Sequence, residues 1–68
     1  MSTEIIARVA VHNIDFLNKI IEAYDHLGIM STLNQKEGLV IIRTTEDTFK
    51  DLQAILSHLP FAIEILSE

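Results

Sequence analysis

The 68-residue chain contains no cysteine and no tryptophan, and it has only two glycines and one proline. Without cysteine it can form neither disulfides nor thiolate zinc sites, and it has no thiol nucleophile. No Gly-rich loop that could cradle a phosphate precedes a helical segment. No serine is accompanied by a local pattern of base and orienting group. We therefore expect a protein that is not an enzyme and that uses no cofactor.

Basic residues and long apolar runs are also scarce. Five basic residues stand against ten acidic ones, which gives a net charge of −5 and argues against binding to a phosphate backbone. No apolar run approaches the roughly 18 residues that indicate a membrane span. The start Met-Ser-Thr-Glu lacks the basic run of a signal peptide. These features predict a cytoplasmic protein with neither nucleic acid nor membrane as a partner.

The apolar content is high for so small a chain. Hydrophobic residues make up 49% of the sequence. A domain of this length buries only about 60% of the surface that its unfolded chain exposes. Some of the apolar surface is therefore expected to face another subunit, and a homodimer is the oligomer we predict.

The clearest local signal is an amphipathic helix at about 14–27 that runs into a strand at about 29–33. The helix pattern is a recurrence of apolar residues at separations of one, three and four, at Phe16, Leu17, Ile20, Ile21, Tyr24 and Leu27. Asn13 is expected to cap the helix N-terminus through its side chain. Gly28 is expected to end the helix in the left-handed conformation.

Three more strands and a second helix complete the pattern. Alternating residues predict a strand at 5–11, a continuous apolar run predicts one at 39–44, and a polar stretch at 34–38 forms a hairpin loop between 29–33 and 39–44. A second helix is expected to be capped by Thr44 or Thr45 and to end before Pro60. A last strand follows at 61–66.

This order predicts one α+β domain over 1–68 with the ferredoxin-like βαββαβ arrangement. Two helices would pack on one face of a four-stranded antiparallel sheet. We expect the first and third strands to be central and parallel to each other. The other sheet face would be uncovered in a monomer.

The uncovered face is the predicted interface. Its residues combine an apolar centre with two arginines, and we expect them to be Ile6, Arg8, Met30, Leu39, Ile41 and Arg43. The register of the third strand stays open, because both of its faces are apolar. Association through an exposed edge strand is the alternative to association through the face.

Few residues are candidates for chemistry. His26 and His58 follow the two helices and could share a metal, but no close ligand spacing accompanies them. Glu22 and Asp25 lie three apart and could form an acid–base pair, although on a polar face. The favoured interpretation of all four is a solvated surface position, so no metal is expected.

The sequence resembles a family of short bacterial proteins of unknown function with a ferredoxin-like fold. The similarity lies in Ile-Asp-Phe-Leu at 14–17, Ile-Glu-Ala-Tyr-Asp at 21–25 and Leu-Gly-Ile at 27–29. More distantly, the β-α-β-β order resembles the ACT regulatory domains. That resemblance implies a small molecule bound at a dimer interface, near the loop between the first strand and helix.

Here that loop contains His12, Asn13 and Asp15, which are the tentative ligand-binding residues. ACT domains usually have a glycine in this loop, and this chain has none. The leading hypothesis is a non-catalytic, self-associating binding or regulatory module. The alternatives are an ACT-like sensor of an amino acid or similar molecule and, more weakly, an adaptor for a larger protein.

Overall fold

The computed structural model describes residues 3–24 and 26–68. Its regular elements, in chain order, are β1 (Glu4–Val9), α1 (Ile14–Glu22), β2 (Ile29–Asn34), β3 (Leu39–Arg43), α2 (Phe49–Leu56) and β4 (Ile63–Ser67). A short 3-10 turn, Val11–Asn13, connects β1 to α1. None of the described helices is long and apolar enough to cross a membrane.

The four strands form one sheet in the order β2-β3-β1-β4, with every neighbouring pair antiparallel. This confirms the predicted ferredoxin-like α+β fold and the central position of β1 and β3. The expectation that β1 and β3 run parallel is wrong. The crossover through α1 keeps β1 and β2 in the same direction, and the β2–β3 hairpin then reverses the chain, so β3 must oppose β1.

The core lies between the sheet and the two helices. Alternate residues of β1 and β3 pack against the apolar stripes of α1 and α2. The buried cluster comprises Ile5, Ala7, Val9, Ile14, Leu17, Ile21, Leu27, Val40, Ile42, Phe49, Leu52 and Leu56. Both helices therefore cover the same face of the sheet, as the sequence predicts.

The first helix is shorter than expected, and its caps differ. It ends at Glu22 rather than near Leu27, and the amide of Tyr24 bonds the carbonyl of Ile21 in a tighter turn. Asn13 occupies the N-cap position but makes no side-chain cap hydrogen bond. Its φ of −99° and ψ of −2° are close to helical, whereas a capping side chain needs an extended backbone.

The second helix begins at Phe49, after a cluster of three threonine hydroxyls. Thr48 is 8% exposed, and its hydroxyl lies 2.6 Å from that of Thr44 and 3.0 Å from that of Thr45. The Thr44 hydroxyl also donates to the carbonyl of Leu27 at 2.6 Å. Thr44 therefore joins the two halves of the chain, and neither Thr44 nor Thr45 occupies the N-cap position of α2, which is Thr48.

Gly28 is not in the left-handed conformation, contrary to the sequence-based expectation. Gly38 is the glycine with a positive φ, of 69°. Gly28 is required for a different reason, since a Cβ there would lie 2.6 Å from the carbonyl oxygen of Arg43. The chain after α1 passes too close to the end of β3 for a side chain.

Candidate functional site

The face of the sheet opposite the helices, called the open face below, is the most distinctive surface of the described chain. Strand register defines its members: Glu4, Ile6, Arg8, Ile29, Ser31, Leu39, Ile41, Arg43 and Glu64. Ile6 pairs directly with Ile41 on the two central strands, and Ile41 pairs with Ser31 on β2. The apolar centre of the face therefore lies on β1 and β3.

The open face is unevenly covered. Ile41 is only 6% exposed, although it does not belong to the core cluster between sheet and helices. Its two neighbours Val40 and Ile42 point into that core, so Ile41 points away from it and is shielded by side chains of its own face. Ile29, at the β2 side of the same face, is 73% exposed. The exposed side chain of Ile29 therefore lies beside the apolar centre of the open face.

Two arginines border this apolar centre, and each is paired with acidic residues. Arg8 lies 3.3 Å from a carboxylate oxygen of Glu64 and 3.8 Å from one of Glu37. The Nε of Arg43 donates to Glu4 at 3.2 Å. All of these side chains are substantially exposed, so each ion pair adds little stability to the monomer. Their importance lies in the alternation of positive and negative charge that they present on the face.

Five of the six residues predicted for the interface lie on the open face, and Met30 does not. Met30 pairs with Ile42, whose side chain lies in the core, and it packs against the core cluster. Its β2 neighbour Ile29 occupies the open face instead. The sequence could not supply this register, because Ile29 and Met30 are both apolar.

The predicted ligand loop lies at the start of α1. His12 is exposed in the 3-10 turn, Asn13 is half-buried, and Asp15 is exposed in the first helical turn. The amide of Asn13 donates to the carbonyl of Ala10 at 2.8 Å, which closes the turn. The three residues are adjacent, but the described structure shows no polar contact between their side chains that would define a ligand site.

A cavity that the sequence did not indicate lies between α2 and β4. Its volume is about 500 Å³, and six of its nine lining residues are apolar: Ile5, Leu56, Leu59, Phe61, Ile63 and Ile65. Gln53, Ser57 and Glu68 supply the polar groups at its border. The sequence feature that could have indicated this cavity is the number of apolar residues at 55–66, which exceeds what one helix stripe and one strand face can bury.

Within the described part of the chain, the remaining polar candidates do not form a site. Among residues 3–24 and 26–68, no group of three or more His, Asp or Glu side chains could hold a metal ion. Nδ1 of His58 lies 2.8 Å from the carbonyl oxygen of Ala54 within its own helix end. Glu22 is exposed and accepts a hydrogen bond from Asn18, whereas Asp25 lies outside the described residues.

Comparison with known proteins identifies the family. No curated protein and no solved structure matches the chain. The model of a family described as a domain of unknown function (DUF4911) matches residues 7–63. The matched segment extends from the middle of β1 to the first residue of β4 and includes both helices. The chain belongs to this family of domains of unknown function.

Proposed function

We propose that the protein is a non-catalytic, cytoplasmic binding or regulatory module that self-associates through its open face. The observation that carries this proposal is that the apolar residues Ile6, Leu39, Ile41 and Ile29 share the open face, where Ile29 is 73% exposed. Among the described elements, both helices pack on the other side of the sheet. Apolar surface of this kind, bordered by charged residues, is typical of protein interfaces.

The size of the face sets the expected strength of association. Four strands about 4.8 Å apart give the face a width of about 19 Å. Five or six residues per strand, spaced by about 3.4 Å, give it a similar length. An interface of that size belongs to the smaller class, for which dimers dissociate on dilution. The oligomeric state must therefore be measured over a range from about 1 μM to about 1 mM.

The first test is light scattering coupled to size exclusion over that range. The mass is expected to rise from 7.7 kDa towards twice that value as protein concentration increases. A constant monomer mass would overturn the proposal and would favour an adaptor that uses the open face for a larger protein.

Substitution of Ile29 by Glu tests the face with little cost to the fold. Because Ile29 is 73% exposed, the change should leave the helix content and the melting temperature of the monomer near wild type. A carboxylate within the dimer contact should raise the dissociation constant about 100-fold or more. Phe16→Glu is the matched control, since Phe16 is 49% exposed on α1, on the opposite side of the sheet.

Ile6→Glu distinguishes association through the open face from association through an edge strand. Ile6 lies on the central strand β1, so its substitution alters the open face and neither sheet edge. Dissociation by both Ile6→Glu and Ile29→Glu supports the face. Dissociation by Ile29→Glu alone indicates pairing through the β2 edge, whose strand carries no charged residue. A persistent dimer in both variants would contradict the proposal.

The cavity between α2 and β4 favours a second candidate, a sensor of a small molecule. Its volume of about 500 Å³ falls in the usual range for ligand sites, and six apolar residues line it together with three polar ones. The experiment is a thermal-shift screen of amino acids and nucleotides. A ligand should raise the melting temperature in proportion to the logarithm of its concentration once binding is saturated.

Two variants then locate the ligand. Ser57→Phe fills the cavity border and should abolish the shift, whereas Asp15→Asn should leave it unchanged. The reverse result would place the ligand at the loop containing His12, Asn13 and Asp15. A screen without any shift would remove the sensor candidate and leave the association module.

A further inference from the structure

Two charged residues of the open face, Glu4 and Arg8, stand in a self-complementary order. On β1, Glu4 and Arg8 lie two residues before and two residues after Ile6, at equal distances from it. On β3, Arg43 and Leu39 flank Ile41 in the same way. A second copy turned by 180° about a line through the Ile6–Ile41 pair would therefore bring opposite charges together.

We propose that the open face binds a second copy of this chain about a two-fold axis that crosses the strands at Ile6 and Ile41. This inference depends on the self-association proposed above and specifies its geometry. The axis places Arg8 of each copy opposite Glu4 of the other. The two central isoleucines meet their own counterparts, as an isologous interface requires.

The spacing of packed sheets permits this contact. Two sheets pack about 10 Å apart, which an extended arginine and a glutamate can span together. The aligned packing angle of about 30° displaces these residues only slightly, because both lie within two residues of the axis. In this arrangement Arg8 binds Glu4 of the second copy while Arg43 remains beside Glu4 of its own chain.

A two-fold axis along the strands is the competing arrangement, and Ile29 argues against it. That axis would pair Glu4 with Arg43 of the other copy, but it would also place Ile29 over the end of β4, next to Glu68. The axis across the strands instead places Ile29 near Leu33, Asn34 and Leu39. Ile29 and Leu33 are 73% and 53% exposed in the monomer, so this arrangement covers the larger apolar surface.

Charge reversal tests the axis. Arg8→Glu gives each homodimer two contacts between glutamates, and Glu4→Arg gives two contacts between arginines. Each variant alone should raise the dissociation constant about tenfold or more at low salt. An equimolar mixture of the two variants should recover wild-type affinity, because in the heterodimer both contacts are again between opposite charges. Sedimentation equilibrium measures all of these states.

A mixture of Arg43→Glu with Glu4→Arg is the matched control. Each Arg→Glu change lowers the net charge of −5 by two and Glu→Arg raises it by two, so both mixtures combine chains of −7 and −3. The electrostatic effect of net charge on association is therefore the same in both mixtures. Under the proposed axis the control heterodimer keeps one contact between two arginines, Arg8 and the new residue at position 4, and affinity should not recover.

The outcomes are distinct. Recovery in the first mixture alone supports the proposed axis, and it cannot arise from a folding defect, which mixing would not repair. Recovery only in the control mixture overturns it in favour of the axis along the strands. Recovery in both mixtures or in neither also overturns it, while the wild-type dimer still supports self-association. A monomeric wild type defeats the proposed function itself.

Discussion

Replacing Gly38 by alanine is expected to cause a large loss of folding stability. Gly38 has a φ of 69°, and a Cβ there would lie 1.8 Å from the carbonyl oxygen of Val9. A left-handed backbone costs an L-residue about 1–2 kcal/mol. The hairpin must also move away from β1 and lose the 2.9 Å hydrogen bond from the Val9 amide to the Gly38 carbonyl.

The combined cost for Gly38→Ala should be about 3 kcal/mol or more. A domain of this size is stable by only about 3–10 kcal/mol in total. The melting temperature should therefore fall by about 12 °C or more. Urea unfolding followed by circular dichroism measures the change in the free energy of unfolding. All samples need the same protein concentration, since dimerisation would otherwise alter the apparent stability.

Lys36→Ala is the control in the same loop. Lys36 is exposed, and its replacement should change the free energy of unfolding by no more than about 0.5 kcal/mol. If Gly38→Ala unfolds at the wild-type urea concentration, the close approach of the hairpin to Val9 is not needed for the fold.

Replacing Ile42 by alanine should produce the second large loss of stability. Ile42 is 0% exposed and belongs to the core cluster between sheet and helices. Removal of its side chain leaves a cavity that rigid neighbours on all sides cannot close. A loss of about 3–5 kcal/mol is expected from comparable substitutions, and urea unfolding measures it.

Ile41→Ala is the matched comparison, because the two isoleucines are adjacent and both nearly inaccessible in the monomer. No second layer covers Ile41 in the described monomer, so water can occupy the vacated space and the cost should approach the transfer term alone, about 2 kcal/mol. Ile41→Ala should also weaken the dimer, whereas Ile42→Ala should act on the fold. Equal losses of stability with no effect on association would show that Ile41 is an ordinary core residue.

Much of the fold could be predicted from local pattern. The stripe that includes Leu17 and Ile21 predicted α1, and the alternation of Ile5, Ala7 and Val9 predicted the face of β1 that enters the core. These predictions succeed because the period of burial follows directly from helix and strand geometry. The presence of an uncovered face followed from the element order.

The candidate site could be predicted only in part. Ile6, Arg8 and Arg43 were assigned to the open face correctly, but Met30 was not. The failure has a simple cause, since the pairing of β2 with β3 is decided by a hairpin that includes a bulge between Thr32 and Asn34. The cavity between α2 and β4 was not predicted, because it depends on how two elements pack.

The roles of the two glycines also differ between what the local sequence pattern predicts and what the tertiary structure requires. The sequence suggested a left-handed residue at Gly28, where a helix was expected to end, but α1 ends earlier, at Glu22. Gly28 is instead required by the distant neighbour Arg43, and Gly38 is required by Val9 in addition to its own positive φ. No local pattern contains that information.

By itself, the sequence determined the order of strands and helices, much of the core, and an excess of apolar side chains, although Phe16 and Tyr24 of the predicted helix stripe are 49% and 48% exposed. Those properties depend on periodicity within single elements. Only the tertiary structure decided which charges meet on the open face. Arg8 pairs with Glu64, 56 residues away, and Arg43 pairs with Glu4, 39 residues away. Such pairs exist because strand order and register bring distant segments side by side, and the same register places the Glu4, Ile6 and Arg8 side chains of β1 beside Ile41 on the open face.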